Sequence, residues 1–493
     1  MKEAEQNITI TNAATSELLD VNTIDDRDAN DFKNEDRSSP AQYNNPQYDD
    51  RQTTEKTKKD DEDTISTGSG SIYGLPPGHI SIARAVFLIS NSALGAGLMN
   101  FPEAYMRCGG IVNAITLQFI LLVLIVGAFL ILAKCANQFQ CATYQDILLF
   151  MLGKNFFNFS QICILVYFFG AAITYVIIIG EQLSSVLVLL TGQNGVWYTD
   201  KRFLFVAFSV VFLLPLCLPR RLKALSYTSL FSGFGAFFIT GIVVSNYFSP
   251  RYSNVSQHNK APPHVEPDWK SAFASLPVLC FGYQCHVSSV AVYSELKQRS
   301  ERKFFGCAFA AMMVCALCYT LCGAFGYATF GHNTKPDILT NYADDDVLAD
   351  VARFAVLLNI FSSFAIVTFC GRIIVDGIVV KFSRLDVYAA ERSEKRRRVV
   401  ITLSWFVLVL VLALVVPNIR VAIDLISGVA SLFIFTFPGL MLLKSVNLGA
   451  PVWSRKDMLT LFVAGIYLVV GMFIFGLVTT LAIQQDITMK QLH

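Results

Sequence analysis

The sequence predicts an all-α polytopic membrane protein of eleven transmembrane helices, arranged as a 5+5 inverted repeat plus one extra C-terminal helix, with spans 1 and 6 broken. Three observations predict it. Of the 493 residues, 54% are hydrophobic and only 15% charged, and the mean hydropathy of +0.49 is too high for a soluble chain of this size. Eleven apolar runs follow one another, each near the length a helix needs to cross a bilayer. Two of them, five spans apart, carry glycine and polar residues at mid-length, where a spanning helix ordinarily holds leucine and valine.

Residues 1–70 form an acidic leader rich in Asp, Asn, Ser and Thr. With almost no aliphatic clusters, it cannot bury enough surface to offset its ordering entropy, so it reads as a disordered cytosolic tail. Its polar start shows no cleavable signal peptide. Asn45-Pro46-Gln47-Tyr48 within it is an NPxY pattern of the kind that sorting adaptors capture by strand addition. The transporter domain, 71–493, holds the runs 80–105, 111–135, 161–190, 203–218 and 225–248 as a first repeat. The runs 271–293, 304–330, 351–380, 399–417 and 421–443 form a second, and 457–483 is the extra helix. The twelve cysteines lie mostly inside these runs, as small hydrophobes rather than a disulfide or zinc framework.

Orientation follows from the loops. Arg220, Arg221 and Lys223, then Lys297, Arg299, Arg302 and Lys303, then Lys381, Arg384, Arg392 and Lys395 to Arg398 all fall on one side. The positive-inside rule makes that side cytosolic, with the N-terminus there and the C-terminus luminal or extracellular. The opposite side receives Asp344 to Asp346 and the segment from Ser249 to Lys270. The latter contains the glycosylation acceptor Asn254.

The first break lies in Asn91-Ser92-Ala93-Leu94-Gly95-Ala96-Gly97-Leu98-Met99-Asn100-Phe101-Pro102. Backbone groups freed there cannot face lipid, so they line a cavity or hold a ligand. The second is read as Pro277 followed by Cys280-Phe281-Gly282-Tyr283-Gln284-Cys285-His286. Five spans per half make the second half enter the membrane from the opposite face, hence inverted. Paired breaks suit an amino-acid zwitterion: half-helix N-termini attract its carboxylate and freed carbonyls accept its ammonium. The amides of Gly95, Ala96, Gly97 and Leu98 are the candidate carboxylate donors, faced by Phe281, Gly282 and Tyr283. Asn100, Tyr283 and Gln284 are placed to hydrogen-bond a polar neutral side chain. A coupling cation needs several oxygens together. Asn359, Ser362 and Ser363 share one face of the eighth span, and the carbonyls of Asn91 and Leu94 complete a hard-ligand shell suited to Na⁺. Among ionisable residues inside spans, Arg372 with Asp376 and Glu103 with Arg107 are spaced i, i+4 and read as structural pairs. Glu181 and Asp424 sit toward the outer face, and His286 reads as a buried neutral ring.

Together with Trp197-Tyr198-Thr199-Asp200-Lys201-Arg202-Phe203, Phe369-Cys370-Gly371-Arg372 and the basic run before Val399, these stretches carry a resemblance. The chain resembles the amino acid/auxin permease superfamily and, within it, the sodium-coupled neutral amino acid transporters of solute carrier family 38. The resemblance covers about Ser71 to the C-terminus and not the leader. It implies the eleven-span bacterial leucine-transporter fold, Na⁺ between spans one and eight at Asn91 and Ser362 or Ser363, transport of glutamine and asparagine, and a lysosomal membrane ahead of the plasma membrane. It implies no enzyme activity and no cofactor beyond the coupling ion, Na⁺ or H⁺. The reading set against transport is an amino-acid-sensing receptor that signals through its N-terminal tail.

Overall fold

The computed structural model describes residues 78–193, 195–219, 225–252, 272–343, 345–385, 387–416, 419–446 and 454–491. The leader, the NPxY pattern, Asn254 and the basic cluster 220–224 lie outside the described residues. One unit covers Gly70–Phe382 and Lys395–His493, and Ser383–Glu394 belongs to a second. Among the described residues there is no strand, only an isolated parallel bridge between Ile80 and Leu296.

In chain order the helices are α1 (Ile82–Ala93), α2 (Phe101–Arg107), α3 (Ile111–Phe139), α4 (Tyr144–Leu152), α5 (Lys154–Thr191), α6 (Lys201–Phe208), α7 (Leu214–Cys217) and α8 (Leu225–Phe248). There follow α9 (Leu276–Gly282), α10 (His286–Ser294), α11 (Glu301–Phe330), α12 (Val347–Phe382), α13 (Val387–Val415), α14 (Ile419–Ser431), α15 (Phe437–Ser445) and α16 (Arg455–Gln491). Seven stretches among the described residues are long and apolar enough to cross a membrane, eight when the bent first run counts as one. Large apolar side chains left open on these helices, such as Phe462 and Val469 on α16, are what a hydrocarbon surrounding accepts.

The first run bends by 53° between α1 and the segment leading into α2. Ser81 caps α1 by accepting from the Arg84 N–H at 3.4 Å. The helix stops at Leu94, whose ψ of 57° leaves the helical region. A 3₁₀ segment, Ala96–Asn100, then leads into α2, where Pro102 sits in the first turn and its missing N–H costs nothing. The sixth run is likewise two helices, α9 and α10, separated by Tyr283, Gln284 and Cys285. Pro277 does not interrupt it. Pro277 lies in the first turn of α9 and opens that helix, so the discontinuity falls six residues later.

Two runs contain π turns instead of breaks, Ser209–Leu213 before α7 and Leu432–Thr436 before α15. Each precedes a proline in the next helix's first turn, Pro215 or Pro438, whose ring would collide with a carbonyl in regular α geometry.

Residues of the two expected i, i+4 pairs also bond to other segments. Asp376 is held by Arg397 of α13 at 2.8 Å, while Arg372 donates to the carbonyls of Cys217 at 2.7 Å and Pro219 at 3.1 Å. Arg107 turns to Asp424 of α14 at 3.7 Å. Each of these bonds ties one segment of the body to another, as ionisable groups inside a membrane body do.

Candidate functional site

The two breaks lie back to back. A Cβ added at Gly97 would stand 3.0 Å from the Cα of Gly282, and one added at Gly282 would stand 2.7 Å from the Phe101 ring. Only glycine permits this approach, which explains the pair of residues at the centre of both interruptions. The helix ends are fastened by a residue of a third helix. The Tyr319 hydroxyl of α11 lies 2.7 Å from the Ala93 carbonyl and 2.7 Å from the Gly282 carbonyl, so its single proton serves the last carbonyl before each break. The Gly95 N–H also donates to Ala93 O at 2.7 Å. Tyr319 is fully buried, stacked on Phe101 at 3.9 Å and edge-on to Tyr283 at 5.0 Å.

The candidate substrate residues therefore converge. Gly95, Ala96, Gly97 and Leu98 occupy the turn between α1 and α2, and Phe281, Gly282, Tyr283 and Gln284 the end of α9 and the gap beyond it. The Tyr283 hydroxyl accepts from the Gln118 side chain at 3.0 Å. Gln118 in turn accepts from Tyr105 at 3.0 Å and approaches Thr320 at 3.0 Å. Asn100 is buried at the start of α2, and the Gln284 side-chain oxygen is buried without a hydrogen-bond partner among the described residues. His286 stacks on Phe129 at 4.1 Å with its Nε2 3.2 Å from the Ile125 carbonyl.

The candidate cation ligands fall in two groups. On α12 the Ser363 hydroxyl donates to the Asn359 side-chain oxygen at 3.2 Å, while the Ser362 side chain lies outside the described residues. On α1, Asn91 and Leu94 line a cavity of about 180 Å³ together with Phe87, Phe237 and Val314, and the Asn91 side-chain oxygen is buried with no partner among the described residues. An orphaned carboxamide oxygen is the kind of donor that a hard cation accepts. Tyr175 of α5 lies beside the first break, its hydroxyl 3.8 Å from where a Gly95 Cβ would be. Sequence reasoning missed Tyr175 and Tyr319; the available signal was that a buried tyrosine hydroxyl in a span must find a partner.

Above the first break, the turn Ile338–Asn341 packs on the 3₁₀ segment, on α5 and on α12. Asp337 begins this turn by accepting from the Leu339 N–H at 2.9 Å, and its other oxygen accepts from Gln182 at 2.5 Å. Burial pushes the Asp337 carboxyl up to about 6, against the pull of the Leu339 N–H, Arg353 and Gln182.

Two broken spans meeting inside a helical membrane body define a transporter architecture. The comparisons narrow it. The family described as "Transmembrane amino acid transporter protein" matches residues 78–484. "Sodium-coupled neutral amino acid transporter 7" of Danio rerio is 36% identical over 419 residues, covering 83% of this chain and 89% of that protein. The Homo sapiens protein of the same name is 36% identical, covering 84% and 90%. Homo sapiens "Solute carrier family 38 member 8" is 30% identical, covering 82% and 94%. MhsT, solved as a crystal structure in complex with L-phenylalanine, matches with a TM-score of 0.50 at 15% identity, over 79% of this chain and 98% of that one, and shares the fold. The chain belongs to the transmembrane amino acid transporter family and, within it, to solute carrier family 38. It is a membrane transporter and not an enzyme.

Proposed function

We propose that this chain is a cation-coupled secondary active transporter of small neutral amino acids, glutamine and asparagine foremost, with Na⁺ as the coupling ion and H⁺ as the alternative. The observation that carries this reading is the contact of Gly97 with Gly282, which puts the freed backbone groups of two helices into one buried place. In this reading the amides of Ala96 and Gly97 hold the substrate carboxylate, the expected donors Gly95 and Leu98 being engaged by Ala93 O and Gly95 O, with the Tyr175 hydroxyl beside them. Carbonyls at the second break hold the ammonium, and Asn100 and Gln284 meet the side-chain amide. Tyr283, committed to Gln118, shapes the site from behind. Asn91, Leu94, Asn359, Ser362 and Ser363 supply oxygens to Na⁺.

The eleven-span count with a 5+5 inverted repeat completes the reading, the helical stretches at 201–217, 225–248 and 276–294 serving as spans four, five and six. The basic loops of the sequence support a cytosolic N-terminus, and the names of the relatives agree with sodium-coupled neutral amino acid transport. A lysosomal membrane is the proposed location. The test is uptake of labelled glutamine and asparagine by the full chain in liposomes, with Na⁺ and pH gradients imposed independently. Accumulation driven by an inward Na⁺ gradient is expected; no accumulation under either gradient overturns the proposal.

A further inference from the structure

We propose that Glu181 and Asp337 share one proton, and that this proton keeps the lid formed by residues 331–343 docked over the first break. A cavity of about 330 Å³ opens between the end of α5, the start of α6, the lid and the start of α14. It is lined by both carboxylates, by Lys201 and Lys335, and by Ser184 and Thr340. Glu181 belongs to α5 and Asp337 to the lid, so any force between them acts across the joint between lid and body. The lid rests on the site proper: Ile338 is fully buried, near Pro102 where α2 begins, and the turn it starts packs on the 3₁₀ segment of the broken span.

The surrounding charges do not neutralise the carboxylates fully. Lys201 of α6 stands 4.0 Å from Glu181, at the outer limit of an ion pair, and half of its side chain is exposed. Lys335 donates to the Thr340 carbonyl at 3.0 Å. Arg353 of α12, fully buried, acts on Asp337 from a distance while bonding the Leu339 and Tyr342 carbonyls at 3.1 and 3.0 Å and Asp350 at 2.5 Å. From α11 the Cys322 thiol donates to the Leu98 carbonyl at 3.6 Å, at the first break. Asp337 has both oxygens engaged, by Leu339 and Gln182. Glu181 has one oxygen, Oε2, buried with no hydrogen-bond partner among the described residues. A proton there removes a charge that no hydrogen bond compensates. With the proton present, one negative charge faces the two lysines. Without it, two buried carboxylates repel each other across the joint.

The sign follows from linkage. A shared proton is bound more tightly with the lid docked than with it lifted, so the docked state gains on acidification and loses as the pH rises through about 6, where burial has moved Asp337. Acid on the face that carries the lid therefore holds the first break covered, and neutrality releases it. Only the consequence for transport rests on the function proposed above.

The experiment is hydrogen–deuterium exchange of the full chain in detergent, followed at the peptides covering 331–343 between about pH 5 and about pH 7.5 and corrected for intrinsic exchange. Wild type is expected to lose protection there by roughly tenfold or more across that range, one tenfold step per unit of differential proton affinity. In Glu181→Gln and in Asp337→Asn the lid is expected to stay protected throughout. In Lys201→Met, which removes a neutralising charge, the transition is expected at higher pH. A wild-type lid whose protection does not change with pH, or a transition that persists unmoved in both carboxylate variants, overturns the proposal. The measurement needs no transport activity, so it can fail while the transporter reading stands, and the reverse.

Discussion

The bridge made by Tyr319 is the most direct handle on the paired breaks. Tyr319→Phe removes one hydroxyl and leaves the ring stacked on Phe101 and edge-on to Tyr283. Ala93 O keeps the Gly95 N–H, but the Gly282 carbonyl, buried and 2.7 Å from the lost donor, is left without it. Stranding a buried acceptor costs about 1–3 kcal/mol in soluble proteins, and hydrogen bonds between membrane helices reach at most about 1.7 kcal/mol, so the loss is placed at about 1–2 kcal/mol. Such a loss shifts the folded balance by a factor of about 5–30. The same helix supplies a control. The Tyr327 hydroxyl is buried with no hydrogen-bond partner among the described residues, so Tyr327→Phe deletes an unsatisfied group and is expected to be neutral or slightly stabilising. Thermal unfolding of both variants in detergent, with glutamine uptake in liposomes alongside, separates the two hydroxyls. If Tyr319→Phe and Tyr327→Phe unfold at the same temperature and transport equally, the bridge is not holding the breaks together.

Gly97→Ala drives a methyl group against the Gly282 backbone at 3.0 Å. An overpacking cost of about 1–3 kcal/mol is expected, and uptake should fall about tenfold or more at unchanged expression. Arg107→Ala removes the cation 3.7 Å from the fully buried Asp424 side chain; a lower melting temperature is expected, with partial recovery when Asp424→Asn is added. Asn91→Ala and Ser363→Ala are each expected to raise the Na⁺ concentration needed for half-maximal uptake, and an unaltered Na⁺ dependence in both removes these residues from the cation site. Asp337 is held above its ordinary value of 3.8, so its contribution to stability is full below that value and lost as the pH rises through about 6. The melting temperature of Asp337→Asn should accordingly exceed that of wild type at neutral pH, and the gap should close near pH 4.

The parts of the fold legible in the sequence were those written in local composition. Apolar runs announced the helices, and Gly95, Gly97 and Gly282 announced the breaks, because glycine inside a span weakens the helix wherever it sits. Proline was the less dependable marker. Pro102 and Pro277 stand in first turns, while Pro215 and Pro438 follow π turns that no periodicity betrays. The contacts that organise the site were illegible for a different reason. Tyr319 reaches Ala93 across 226 positions and Gln118 reaches Tyr283 across 165, and nothing beside either residue in the chain records its partner. The same holds for charge: i, i+4 spacing offered Asp376 a neighbour on its own helix, and the Arg397 partner that packing adds is not written beside it.

The small bridge at the start of the body has a mechanical consequence. Ile80 exchanges backbone hydrogen bonds of 2.9 Å with Glu295 and Lys297, Ser92 meets Ser288 at 2.7 Å, and Gly97 abuts Gly282. As the position on the first run climbs, its partner on the sixth descends. The two broken runs are thus riveted along their length as a single antiparallel strut. A push on either run is felt by both together and not by one alone.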